Sequence, residues 1–258
     1  MKIYAIVNQK GGVGKTTSVI SLGAYLAQSK HRVLIVDVDP QGNATSGLGF
    51  EKNDDNYSTY DLILHGATVA ETRMTHPEMT IDILPATANL AGAEIELVST
   101  IGREYRLREA LSTVEDEYDY ALIDCPPSLG LLTVNALTAA KDGVLIPVQC
   151  EYLALEGLAQ LNDTVNMVKH YLNPHIQIRG LIMTMYDKRT NLSRQVVEEV
   201  RNFFPGKVFR AIIPRNIRLS EAPSFGEAIN QYAPDSAGAI AYKYLAAELV
   251  KGDKAAAA

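Results

Sequence analysis

The segment GGVGKTT, Gly11 to Thr17, sits between an apolar run at 2–8 and a helical pattern at 16–29. A strand, a glycine-rich turn and a helix in direct succession form a phosphate cradle, and little else in a sequence restricts the fold so tightly. The glycines let successive backbone N–H groups of Gly11, Gly12, Val13 and Gly14 turn inward, and the helix N-terminus adds partial positive charge. Lys15 is then placed to reach the β/γ-phosphates of a nucleotide, with the Thr16 hydroxyl on Mg2+ and Thr17 beside it. One departure from the G-x-x-x-x-G-K-[ST] pattern stands out: Gln9 occupies the first glycine position and is followed by Lys10. A glycine at 9 is dispensable if the loop keeps its shape by other means. Lys10, at the mouth of the loop, would in a face-to-face dimer reach the partner's γ-phosphate. An arginine finger supplies such a charge elsewhere, with an effect of about 10³–10⁵ on rate. The plain alternative is an exposed lysine that steers nucleotide.

Beyond the loop, short apolar runs at 2–8, 32–39, 80–86, 120–125, 143–149, 178–186 and 208–214 read as strands. Most are continuous rather than alternating, as expected for strands buried on both faces of a parallel sheet. Helical patterns at 16–29, 103–117, 131–140, 155–171 and 192–203 lie between them. Alternation of this kind predicts a doubly wound, mostly parallel α/β sheet. No linker composition interrupts it, so a single P-loop domain is expected over 1–250. A last helix at about 236–250 is expected to face the core with Ile240, Tyr244 and Leu245, and 251–258 is expected to be a frayed, disordered tail.

Two strand ends carry carboxylates. Asp37 and Asp39 close the second run in LIVDVDPQGN, and Asp124 closes the fourth in ALIDCPPS. Ligands in open α/β sheets sit beyond the carboxyl ends of the strands, so all three are expected to point toward the loop. Asp124 suits the Mg2+ shell, and Asp39 suits orienting or deprotonating an attacking water. A helix cap or a turn is the ordinary alternative for any one of them. Lys10, Lys15 and Asp39 are thus the catalytic candidates, and Thr16, Asp39 and Asp124 the metal candidates.

The net charge of −6 argues mildly against nucleic acid, but its distribution does not. Between Lys188 and Arg218 stand eight basic and two acidic residues, so this window is +6 and the remainder −12. The aromatics there, Phe203, Phe204 and Phe209, fit core spacing better than single-strand stacking. Cys125 and Cys150 have neither metal nor disulfide spacing and read as reduced, buried thiols. No run reaches the 18 or so apolar residues of a membrane span, and the N-terminus does not read as a signal peptide, so a cytoplasmic location is expected.

The blocks KGGVGKTT, VDVDPQGNAT, DYALIDCPPSLGLLTVNAL, PVQCEYLALEGL and IIPRNIRLSEAPSFG resemble, in order and over about 1–250, the ParA/Soj family of partitioning ATPases. This family belongs to the deviant Walker-A class that also holds MinD and the nitrogenase iron protein. The resemblance implies an ATP- and Mg2+-dependent homodimer in which Lys10 contacts the partner's phosphates and Gly11 permits closure. It also implies that Asp39 is needed for hydrolysis, that Glu151 approaches nucleotide across the dimer, and that Pro214 and Asn216 lie beside the adenine. Non-specific double-stranded DNA and a ParB-type centromere-binding protein are the implied partners, with a nucleoid-associated location. Arg189 and Arg218 match positions implicated in DNA contact; Lys188, Arg194 and Arg215 are further candidates.

With the loop at residue 10, operator binding through a helix-turn-helix is not expected, and AELVKGDKAAAA is not expected to form a basic amphipathic helix on a membrane surface. Two competitors stay open: a P-loop synthetase or amidoligase acting on a small molecule, and a regulator whose ATP dimer docks a replication initiator.

Overall fold

The computed structural model describes residues 1–53, 55–151 and 154–257. Among the described residues, six of the apolar runs form strands, and the short Met74–Thr75 adds a seventh: β1 (Lys2–Ile6), β2 (Val33–Asp37), β3 (Met74–Thr75), β4 (Ile81–Leu84), β5 (Tyr120–Asp124), β6 (Gly143–Gln149) and β7 (Ile178–Thr184). One sheet results, ordered β3-β4-β2-β5-β1-β6-β7. Every pairing is parallel except that of the short edge strand β3 with β4. Val33 and Ile35 enter the core on one face of the sheet, while Leu34 and Val36 enter the core on the other. Both faces are therefore covered, which is why the strands read as unbroken apolar runs.

The helices on the two faces are α1 (Lys15–Gln28), α2 (Asn43–Gly47), α3 (Thr59–Leu64), α4 (Val69–Thr72), α5 (Leu90–Glu96) and α6 (Arg106–Ser112). They continue with α7 (Leu131–Ala139), α8 (Ala154–Tyr171), α9 (Asn191–Phe203), α10 (Ile217–Glu221), α11 (Ile229–Tyr232) and α12 (Ala237–Ala257). The doubly wound α/β architecture expected from the sequence is the one observed. Its register decides the position of the site. Ile6 pairs with Asp124 and Asp124 with Asp37, so the carboxyl ends of β1, β5 and β2 lie side by side.

Several expectations are corrected. The run at 208–214 is not a strand; Val208 and Pro214 make only isolated bridges, to Leu181 and Tyr186. Between them the backbone N–H groups of Arg210 and Ala211 donate to the Glu248 carboxylate of α12, at 3.0 and 3.2 Å, instead of to a ladder. The helix expected over 103–117 is confined to α6. Phe203 is exposed rather than in the core. In α12, Ile240 and Tyr244 face solvent, and the buried stripe is Ala239, Tyr242, Leu245, Ala246 and Leu249.

The expected frayed tail is helical through Ala257, and Ala258 lies outside the described residues. The buried Asp253 anchors this end. Its carboxylate accepts from the Tyr4 and Tyr120 hydroxyls at 2.7 and 3.1 Å and from the Arg179 guanidinium at 3.0 Å, tying α12 to β1, β5 and β7.

Candidate nucleotide site and basic surface

The loop between β1 and α1 turns through Gly12 and Gly14, whose φ of 73° and 92° lie in the left-handed region that a side chain disfavours. The Asn8 side chain at its start and the Thr184 side chain of β7 hold it. The Asn8 carboxamide accepts the Lys10 N–H at 3.0 Å and donates to the Pro147 carbonyl of β6 at 2.7 Å. The Thr184 hydroxyl, at the end of β7, donates to the Val13 carbonyl at 2.9 Å. These contacts are the means by which the loop does without a glycine at position 9. Neither Asn8 nor Thr184 is among the sequence expectations, although Asn8 ends the 2–8 run and Thr184 ends β7.

Lys15, the first residue of α1, is buried, and its ammonium reaches back to the Lys10 carbonyl at 3.4 Å. Burial lowers its pKa, while the charges of Asp124 and Asp39 hold it up. Asp124 is fully buried, and neither of its oxygens has a hydrogen-bond partner. Its pKa lies well above the usual carboxylate range because of burial first and the neighbouring Asp37 second. The Thr16 hydroxyl is near enough to oppose that rise without making an aligned hydrogen bond.

An orphaned, fully buried carboxylate beside a threonine hydroxyl fits a hard cation held partly by substrate phosphates. No cluster of three or more His, Cys, Asp or Glu residues suited to a metal occurs among the described residues.

Asp37 does not join this group as a free carboxylate. It accepts from the Thr45 N–H and hydroxyl at 2.9 and 2.8 Å and from the Asp39 N–H at 3.2 Å, which pins the turn after β2. Burial nevertheless pushes its pKa up to about 6. Asp39 accepts the Gln41 N–H at 2.9 Å in a turn that Gly42 completes. Gly42 has a φ of 58°, and a Cβ there would come within 2.8 Å of the Ala86 carbonyl.

A cavity opens beside the loop, lined among others by Gly14, Thr17, Thr184, Pro214, Asn216 and Tyr242. Pro214 and Asn216 thus stand next to the phosphate loop. Tyr242, absent from the sequence expectations, forms a buried hydroxyl contact with Ser18 of α1 at 2.9 Å. Glu151 lies beside its own loop: its carboxylate stands 3.6 Å from the Lys10 ammonium and 3.3 Å from the Arg215 guanidinium. Cys125 and Cys150 are buried free thiols, as expected.

The basic window looks different in three dimensions. Arg189 is bound at two points by Asp187, and Arg218 pairs with Glu221 at 2.8 Å. Both partners lie just outside 188–218, and the window 187–221 carries only +4. Lys188, Arg189 and Arg215 share one shallow depression, which Arg194 and Arg218 do not line. Lys188 and Arg194 are exposed.

A family model described as AAA domain matches residues 1–178. The chain is 58% identical over 248 residues to the sporulation initiation inhibitor protein Soj of Bacillus subtilis, spanning 96% of this chain and 98% of that protein. It is 52% identical over 254 residues to the chromosome partitioning protein ParA of Myxococcus xanthus, spanning 98% of this chain and 89% of that one. Among solved structures, cobyrinic acid a,c-diamide synthase from Mycobacterium smegmatis, with a bound ATP analog and magnesium, superimposes with a TM-score of 0.86 at 38% identity. That match covers 98% of this chain and 96% of the synthase.

Proposed function

Since the chain belongs to the ParA/Soj family of chromosome- and plasmid-partitioning ATPases, we propose that it is an ATP-gated dimer that binds duplex DNA without sequence preference. In this reading a ParB-type partner stimulates hydrolysis and releases the protein from the nucleoid. The observation that carries it is the pair of lysines on one loop. Lys15 is buried among the carboxylates, whereas the Lys10 side chain is 53% exposed at the loop's mouth.

The buried lysine serves the nucleotide of its own subunit. The exposed one is available to a second subunit, where it would offset charge developing on the transferred phosphoryl group. Thr16 and Asp124 would hold Mg2+, which when bound neutralises the phosphate oxygens. Asp39, in the turn after β2, is the group assigned to orient the attacking water. Lys188, Arg189 and Arg215, doubled in a dimer, would contact DNA phosphates, with Arg194 and Arg218 extending that surface.

The test is binding to a non-specific duplex in ATP and in ADP, each at low and moderate salt. Binding in ATP only, weakening with salt, is expected. Absence of binding in both states would sink the DNA-carrier reading. A second reading is favoured by the similarity to the diamide synthase: amide formation on a small molecule with the same loop. It requires turnover that depends on a small-molecule acid and is indifferent to DNA. A dimer that acts on a replication initiator would instead give turnover responsive to that protein.

A further inference from the structure

We propose that Thr184, which the family reading does not assign, is a positioning residue for the phosphate cradle. The proposal rests on nucleotide binding at this loop. Thr184 is the last residue of β7, and its side chain is buried against the loop. Its hydroxyl donates to the Val13 carbonyl at 2.9 Å, and Val13 is itself 1% exposed.

A trans peptide is planar, with its C=O and N–H pointing to opposite sides. Turning the Val13 carbonyl toward β7 therefore turns the Gly14 N–H away from β7, to the side where a P-loop receives phosphate. Gly14 cannot hold this orientation unaided, because at a φ of 92° a glycine is confined by no side chain of its own. The backbone of Thr184 is held in turn, since its carbonyl accepts the Cys150 N–H at 3.0 Å. One strand end thus fixes the direction of one cradle donor. Asn8 does the corresponding work at the Lys10 end of the loop, through bonds of 3.0 and 2.7 Å.

Thr184 also lines the cavity next to the loop, so a general effect on base binding has to be told apart from an effect on the cradle. ADP and AMP separate the two, because only ADP presents the β-phosphate. Calorimetric titration of the full chain with each nucleotide is the experiment, on the wild type and on Thr184→Val, Thr184→Ala and Thr184→Ser. Removal of the hydroxyl in the Val and Ala variants is expected to weaken ADP by about five- to tenfold, the effect of one lost hydrogen bond. AMP is expected to change less than twofold, roughly the scatter of such measurements, and the Ser variant is expected to restore ADP binding.

Equal losses for ADP and AMP, or no loss for either, would overturn the proposal while leaving nucleotide binding intact. A wild type that binds neither nucleotide would instead remove the reading on which it stands. Should the Val variant not fold, the Ala and Ser variants carry the same comparison.

Discussion

Lys10 meets Glu151 of its own subunit at 3.6 Å, and the same carboxylate holds Arg215 at 3.3 Å. One acidic residue thus offsets both the lysine at the loop's mouth and a member of the basic surface. The side chains are half exposed, so the pairs contribute little to folding, about 0–1 kcal/mol each.

Glu151→Gln is accordingly expected to leave thermal stability nearly unchanged. It should tighten binding to a non-specific duplex about two- to fivefold at low salt, with the gain fading as the Debye length shortens. Titration of fluorescent duplex at two ionic strengths measures this. Unchanged affinity at low salt would mean that Glu151 does not mask Arg215.

Asp124 represents a trade between stability and activity. A fully buried carboxylate with both oxygens unpartnered, next to Asp37, destabilises the nucleotide-free chain. Asp124→Asn removes that charge and should raise nucleotide-free stability by about 1–3 kcal/mol, while Mg2+-dependent hydrolysis falls at least about a hundredfold. Thermal denaturation paired with a phosphate-release assay checks both halves. A less stable variant would contradict the account of the buried charge.

The site was legible where geometry is local. GGVGKTT is recognisable from its own glycines and the helix after it, although Asn8 and Thr184 brace it, and Asp37 and Asp124 end strands, with Asp39 in the turn just beyond. The misses arose where a distant side chain decided the outcome. The 208–214 run lost its ladder to Glu248, and the end of α12 is ordered by Asp253 reaching Tyr4, Tyr120 and Arg179.

The basic window exaggerated its own charge because Asp187 and Glu221 fell just beyond its ends. In α12 Leu245 faces the core as expected while the bulky Ile240 and Tyr244 face solvent, since the buried stripe is partly made of small residues, Ala239 and Ala246. Asn8 and Thr184 act through single hydrogen bonds to backbone, for which a sequence has no periodic signature.

The raised pKa of Asp37 makes a pH prediction. A carboxyl whose folded pKa, about 6, exceeds its ordinary 3.8 binds more protons in the native than in the unfolded state between those values. Its contribution to stability is full below pH 3.8 and is lost as pH rises through about 6. Asp124, raised for the same reason, extends the loss upward. Nucleotide-free protein is thus expected to lose part of its thermal stability across this window, and Asp37→Asn to flatten the slope. A slope unchanged in the variant would place the titration elsewhere.

Asp39 has a modest structural duty, one hydrogen bond to the Gln41 N–H at 2.9 Å. Asp39→Ala should therefore cost only about 1 kcal/mol of stability. Turnover should fall about 10²–10⁴-fold, the range for loss of a group that handles the attacking water. ATP-dependent DNA binding should persist and dissociate more slowly, as read by surface-bound duplex during washout. Normal turnover would remove Asp39 from the hydrolytic role.

Arg189 and Arg218 differ in how tightly this chain already holds them, and that difference sets the last expectation. Asp187 grips Arg189 at 2.9 and 2.7 Å, while Glu221 holds Arg218 through one bond of 2.8 Å. Each arginine must exchange its carboxylate for a DNA phosphate, so the net gain is smaller than for an unpaired cation. Loss of one phosphate contact lowers the slope of log affinity against log salt by about 0.9, hence by about 1.8 in a dimer. Arg189→Ala and Arg218→Ala should each show this reduction with nucleotide affinity unchanged. Asp187→Ala should strengthen DNA binding at low salt by releasing Arg189. Salt titrations of duplex binding in ATP decide the matter; slopes equal to wild type in both arginine variants would move the DNA surface away from these residues.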